Sequence, residues 1–219
     1  AALLRVVLDR VVGDMELPPS VAVVAAANPP EQAAGGWDLS PPLANRFCHL
    51  SWGLDTQGWI DGMIQGWPTP QVVRVPEGWE AGIPAARAIV AAFVRHRPHL
   101  LLQIPASEEQ AGRAWPSPRS WDMASRLLAA SDAAHAGEDV AAVLLAGCVG
   151  DGAGLEFLAW RRDLDLPDPE EILRNPSGFR VPERGDQAFA TLTAVVSAAV
   201  RNLTKDRWSA AWTVLSLAA

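Results

Sequence analysis

The sequence predicts an α/β segment over residues 1–68 followed by an all-α segment over residues 69–219, and three observations carry that division. First, Val21-Ala22-Val23-Val24-Ala25-Ala26 is an uninterrupted small and β-branched run between Pro19 and Asn28-Pro29-Pro30, which suits a strand buried on both faces of a parallel sheet. Second, after residue 68 the strand signal fades and apolar residues recur at helical spacing. Third, the Pro- and Gly-rich stretch from Gly66 to Pro84 reads as a linker, in which Val72-Val73-Arg74-Val75 is a short extended segment.

In chain order, residues 2–11 read as a helix and Val12 to Pro19 as a hairpin with a Gly13-Asp14 turn. The expected strand at 21–26 leads into a Gly-containing loop ending at Asp38. Ser40 then stands as a cap with Pro41 and Pro42 in the first turn of a short helix that ends at Asn45. Phe47-Cys48-His49-Leu50-Ser51-Trp52 reads as a second strand, so strand, helix and strand imply one α/β layer. In the second segment Ile83, Ala86, Ile89, Val90, Phe93 and Val94 form one helical stripe, and Phe189, Leu192, Val195, Val196, Ala199, Val200 and Leu203 form another. Trp208, Ala211, Trp212 and Leu215 make a third. Asp168-Pro169-Glu170-Glu171 supplies a cap, a first-turn Pro and a capping-box Glu for a helix containing Ile172 and Leu173. Internal repeats are not apparent.

Composition narrows the function classes. With 18 Lys and Arg against 25 Asp and Glu, the net charge is −7, which argues against a surface built to neutralise nucleic-acid phosphates. The apolar runs are far shorter than the roughly 18 residues that cross a bilayer, so no membrane association is expected. Cys48 and Cys148 are widely separated and lack metal-site spacing, which points to buried thiols in a reducing cytosol. His96 and His99 flank Arg97-Pro98, where proline breaks the helical geometry a metal pair needs, and no metal is expected there. His49 and His135 are isolated. Ten Trp with no Tyr read as core and interface filling. The opening Ala1-Ala2-Leu3-Leu4 and the closing Trp212-Thr213-Val214-Leu215 lack terminal signals, which reads as an internal segment of a longer protein.

Three motifs carry a resemblance. Asn28-Pro29-Pro30-Glu31-Gln32 closes the first apolar run, Leu43-Ala44-Asn45-Arg46-Phe47 ends the short helix, and Trp115-Pro116-Ser117-Pro118-Arg119-Ser120-Trp121 opens a later one. In this order they resemble the second half of an AAA+ ATPase core, and more narrowly the bacterial MoxR family, over about residues 1–130. The resemblance implies a partial AAA+ parallel-sheet core with a helical lid and a helical extension. It makes Asn28 the sensor-1 residue, Arg46 the arginine finger reaching a neighbouring subunit, and Arg119 the sensor-2 residue of the lid. It further implies ATP and Mg²⁺ as cofactors, a homo-oligomeric, hexameric ring, a cytoplasmic location, and chaperone-like work on a client protein of the von Willebrand A type. Asn45 departs from the Asp of many relatives. Glu31 and Gln32 match a family pair without a derivable role.

Each residue also has a local reading. Asn28 suits an Asn-Pro turn, Arg46 suits the carbonyl end of a helix, and Arg119 suits an i,i+3 pair with Asp122, itself spaced i,i+4 from Arg126. A cation in the first turn of a helix opposes the macrodipole, so Arg119 calls for some other favourable partner. Neither a phosphate loop G-x-x-x-x-G-K-[ST] nor an apolar strand ending in Asp-Glu occurs in the sequence, so the chain alone is expected to be inactive on ATP. The alternatives are a helical adaptor without ATPase activity and a DNA-remodelling AAA+ relative, the latter disfavoured by the acidic charge.

Overall fold

The computed structural model describes residues 2–28, 39–70 and 72–218. It corrects the expected fold class. The chain is about 60% helical and mostly all-α, and among the described residues its sheet is a single two-stranded antiparallel hairpin, with no parallel core. Helix α1 (Ala2–Leu8) leads into that hairpin, β1 (Val11–Val12) and β2 (Met15–Glu16), which turns at Gly13 in the left-handed region (φ +62°). Val11 pairs with Glu16 and Val12 with Met15.

The two expected parallel strands are absent for a physical reason. A strand must place its N–H and C=O groups on a neighbour's ladder, and among the described residues none lies beside either run. The segment 21–26 has no regular secondary structure and mostly faces solvent, with Val24 88% exposed. Its tie to the hairpin is the Arg10 guanidinium, which donates to the carbonyls of Pro18 and Val21. Residues 47–52 follow a similar course. The His49 amide bonds to the Gly147 carbonyl at 2.7 Å, while Leu50 and Trp52 project into solvent. A short apolar run gives the same pattern whether its partners exist or not.

Helices α2 (Pro41–Ala44) and α3 (Thr56–Gln65) precede the body; α3 starts at Asp55 and had no counterpart in the sequence reading. A short 3₁₀ turn at Trp79–Gly82 opens α4 (Ile83–His96), followed by α5 (Glu108–Ala111), α6 (Pro118–Ala133), α7 (Glu138–Val149) and α8 (Asp151–Asp163). Helices α9 (Pro169–Arg174), α10 (Gly185–Arg201) and α11 (Lys205–Ser216) complete the chain.

The predicted α4 stripe is the centre of the core: Ile83, Ala86, Val90 and Phe93 are buried, with Ile89 and Val94 packed against them. Phe93 meets Trp121 of α6 at 5.5 Å and Phe157 and Trp160 of α8 at 5.2 and 5.3 Å between ring centroids, in tilted or edge-on geometry. Such arrangements place ring edges on ring faces and add to the area buried. Helix α10 lies along α4 and also carries a second cluster, in which Ile172, Leu173, Val195, Ala199, Ala211 and Val214 are buried.

Helix α11 is rotated from its predicted face. Ala211 and Val214 point inward, whereas Trp208 and Trp212 are exposed and stack on each other at 6.4 Å and 15°. Small side chains let α11 approach α9 and α10 closely, which indoles on that seam would prevent. Arg207 fixes the approach: it donates two bonds to the Glu170 carboxylate, at 2.8 and 2.9 Å, and one to the Ala198 carbonyl. That bidentate bond holds Glu170 below the ordinary carboxylate value. Asp168 caps α9 as expected, accepting the Glu170 amide at 2.9 Å.

Asp186 joins the clusters at the start of α10. It accepts from Arg184 at 2.7 Å, from the Gln187 amide at 2.9 Å and from the Trp160 indole at 3.1 Å. These donors, Arg184 foremost, lower its carboxyl to about 2. The unfolded chain therefore takes up the proton first as pH falls, so the stabilisation is full above about pH 4 and is lost toward pH 2. Asp186→Asn is expected to lower stability at pH 7 by about 1–3 kcal/mol, and the difference from wild type should vanish near pH 2 in urea titrations. In the same assay Phe93→Ala should cost about 3–5 kcal/mol. Val24→Ser should stay within about 0.5 kcal/mol, an outcome incompatible with a buried strand.

Candidate functional site

Two of the three sequence motifs meet at the start of α6. Ser117 is the N-cap, with extended backbone (φ −152°, ψ 163°), and Pro118 takes the first helical position, where its missing N–H is no loss. The Ser117 hydroxyl oxygen accepts the Ser120 amide at 3.1 Å, and the Ser120 hydroxyl oxygen accepts the Ser117 amide at 2.8 Å. This is a capping box built from two serines.

The cap leaves the Ser117 hydroxyl proton available, and it is donated to the Asn45 side-chain oxygen at 2.6 Å. The Asn45 side-chain amide in turn donates to the Trp115 carbonyl at 3.1 Å. Asn45 is 3% exposed, so both bonds are made in a desolvated place. The pattern explains why an amide stands at this position: a carboxylate accepts from Ser117 but has no proton for Trp115. Leu43 and Ala44, buried where α2 meets α5, hold the backbone leading into Asn45.

Arg46 and Arg119 are thereby brought close enough to repel. Burial first, and the Arg119 guanidinium second, pull Arg46 below the ordinary arginine value. One Arg46 terminal nitrogen donates to the Pro42 carbonyl, satisfying the last turn of α2 as its local reading anticipated. Its Nε is buried without a partner. Arg119 is exposed and makes no ion pair or hydrogen bond among the described residues. The expected i,i+3 partner is occupied elsewhere, because Asp122 pairs with Arg87 of α4 at 2.6 Å. Two guanidiniums within electrostatic reach of each other, neither paired with a carboxylate among the described residues, form a place suited to an anion with several oxygens.

Asn28 is not joined to this place. It lies exposed at the end of the irregular segment 21–28, and no hydrogen bond connects it to Arg46 or Arg119. Glu31 and Gln32 fall outside the described residues. His96 and His99 are exposed, and no group of three or more His, Cys, Asp or Glu side chains suited to a metal occurs among the described residues. Nor do the described residues include a helix long and apolar enough to cross a membrane.

Sequence reasoning missed one contact. Cys48 packs against the cluster that contains Cys148, and its thiol reaches the Leu144 carbonyl one helical turn before Cys148 at 3.6 Å. Their separation of 100 residues left no local pattern to signal it. The close approach needs Gly147, where a Cβ would come within 2.4 Å of the His49 carbonyl oxygen.

Comparison with protein-family models, curated proteins and solved structures finds no match to the chain. The roles of these residues therefore rest on geometry and on the motifs. Asn45→Asp is expected to destabilise the protein by about 1–3 kcal/mol, because the Trp115 carbonyl loses its donor and meets a like-charged oxygen. Asn45→Ser, which retains a donor and an acceptor, should cost less in parallel urea titrations.

Proposed function

We propose that this chain is the arginine-bearing part of an AAA+ ATPase of the MoxR type, in which Arg46 and Arg119 together bind the terminal phosphate of ATP held by a neighbouring subunit. The observation that carries the reading is the paired placement of the two guanidiniums through the Asn45–Ser117 hydrogen bond. It relates two motifs whose association is otherwise only an order in the sequence. The reading involves no sheet core within these residues.

The residues present fit the phosphate end of such a ligand and not its metal. The guanidiniums of Arg46 and Arg119 would receive phosphate oxygens and spread positive charge over them. Bound ATP would supply the phosphoryl group, and Mg²⁺ would be held by carboxylates outside the described residues. Because Asn45 bonds the segment of Arg46 to the start of α6, a phosphate between the two arginines would draw both toward the neighbouring subunit together. A homo-oligomeric, hexameric ring in the cytoplasm acting on a protein client follows from the same resemblance. Asn28, as sensor 1, would complete the site from another part of the assembly.

A second reading, a helical adaptor, is favoured by the apolar exterior around α3. Trp52, Leu54, Met63, Ile64 and Trp67 are all largely exposed, more apolar surface than a solvated helix requires.

The two readings separate in turnover. The 219-residue chain alone should show no ATPase activity. In an assembly that hydrolyses ATP, Arg46→Ala should lower kcat by about a thousandfold or more with ATP binding largely kept. Arg119→Ala should act in the same subunit interface, and mixing either variant with a nucleotide-binding-defective subunit should restore a fraction of sites. Normal turnover in both variants would leave the adaptor reading standing.

A further inference from the structure

We propose that Cys48 and Cys148 are a peroxide-responsive dithiol that closes to a reversible disulfide, locking the segment after Arg46 onto the last turn of α7. The argument stands apart from the nucleotide reading. Cys48 lies against one turn of helix: its sulfur is 3.6 Å from the Leu144 carbonyl oxygen, and a Cβ added at Gly147 would come within 2.8 Å of it. Cys148 begins where that turn ends, four residues after Leu144 and next to Gly147, and Cys48 packs against the cluster to which Cys148 belongs. The backbone is clamped at the same level by the 2.7 Å bond from the His49 amide to the Gly147 carbonyl. Two thiols held in this way need little backbone movement to reach bonding geometry. Both are free in the structure.

The pair is also asymmetric. Cys148 is 1% exposed and Cys48 is half-buried, so an oxidant from solvent reaches Cys48. The neighbouring Cys48 first, and burial second, push the Cys148 thiol up. Cys48, the accessible sulfur, is thus the attacking thiol and Cys148 the resolving one. In the first step the Cys48 sulfur attacks one oxygen of hydrogen peroxide. The O–O bond breaks, Cys48 becomes a sulfenic acid, and the departing hydroxide leaves as water with the proton that Cys48 gave up. In the second step the Cys148 sulfur attacks the Cys48 sulfur. The S–S bond forms, the S–O bond breaks, and hydroxide leaves with the Cys148 proton as a second water. Two electrons pass from the sulfurs to peroxide, giving one disulfide and two waters.

The test uses the reduced, reductant-free 219-residue chain and stoichiometric hydrogen peroxide. Thiols titrated after denaturation should fall from two to none, the intact mass should drop by two hydrogens, and a Cys48–Cys148 cross-linked peptide should appear. Dithiothreitol should restore both thiols, and the oxidised monomer should melt at a higher temperature than the reduced one. Cys148→Ser should trap Cys48 as a sulfenic acid that dimedone labels, without a disulfide. Persistence of both thiols in the wild-type chain, or their loss to sulfinic acid or intermolecular dimers without the internal cross-link, would overturn the proposal. Because the decisive readouts use wild-type protein, misfolding of a variant does not obscure the result.

Discussion

The hydrogen bond from the Ser117 hydroxyl to Asn45 joins positions 72 residues apart and sets the place of everything around the candidate site. It is available only because the capping box uses the Ser117 oxygen as an acceptor and leaves the proton free. The cap is itself held from behind. Trp121, one turn into α6, touches Phe93 and Phe157 and donates its indole N–H to the Leu100 carbonyl at 2.8 Å. Position is therefore passed from the aromatic core to the first turn of α6, from there to Asn45, and from Asn45 to the adjacent Arg46. A shift in core packing would be felt at the guanidinium pair without any contact between the two.

Holding two arginines together is a modest burden on such a scaffold. Arg119 is exposed, so solvent screens much of the repulsion, and the Arg119 charge is the smaller of the two causes that lower Arg46. Burial of a leucine side chain contributes about 1.5–3 kcal/mol, and Leu43 and Ala44 are both buried beside Asn45. Packing of α2 opposes the repulsion and holds Arg46 in place.

What was legible in the sequence follows from the range of the interactions involved. The Asp168 cap, the Gly13 turn and the α4 stripe depend on residues a few positions apart, and each is seen as read. The strands at 21–26 and 47–52 required partners that no local pattern can guarantee, and those assignments failed. Helix α11 failed in phase, since the large Trp residues marked the apparent apolar face while close packing selected Ala211 and Val214. In the site, motif order pointed to Arg46 and Arg119. Their proximity, the capture of Asp122 by Arg87 and the thiol pair all arise from contacts between distant segments. Asn28 remains apart from them in the described structure.

Gly147 has a consequence for how this chain can vary. In a helix, replacing glycine by alanine ordinarily adds roughly 1 kcal/mol of stability, and in so alanine-rich a sequence such a change would be easy mutational drift. At this position the new methyl would meet the His49 carbonyl oxygen at 2.4 Å, a backbone atom with no freedom to rotate away. The usual gain is reversed into a wedge that lifts residues 48 and 49 off α7. Here a hydrogen atom is the only side chain small enough, so the least conspicuous residue of the helix is among the least replaceable.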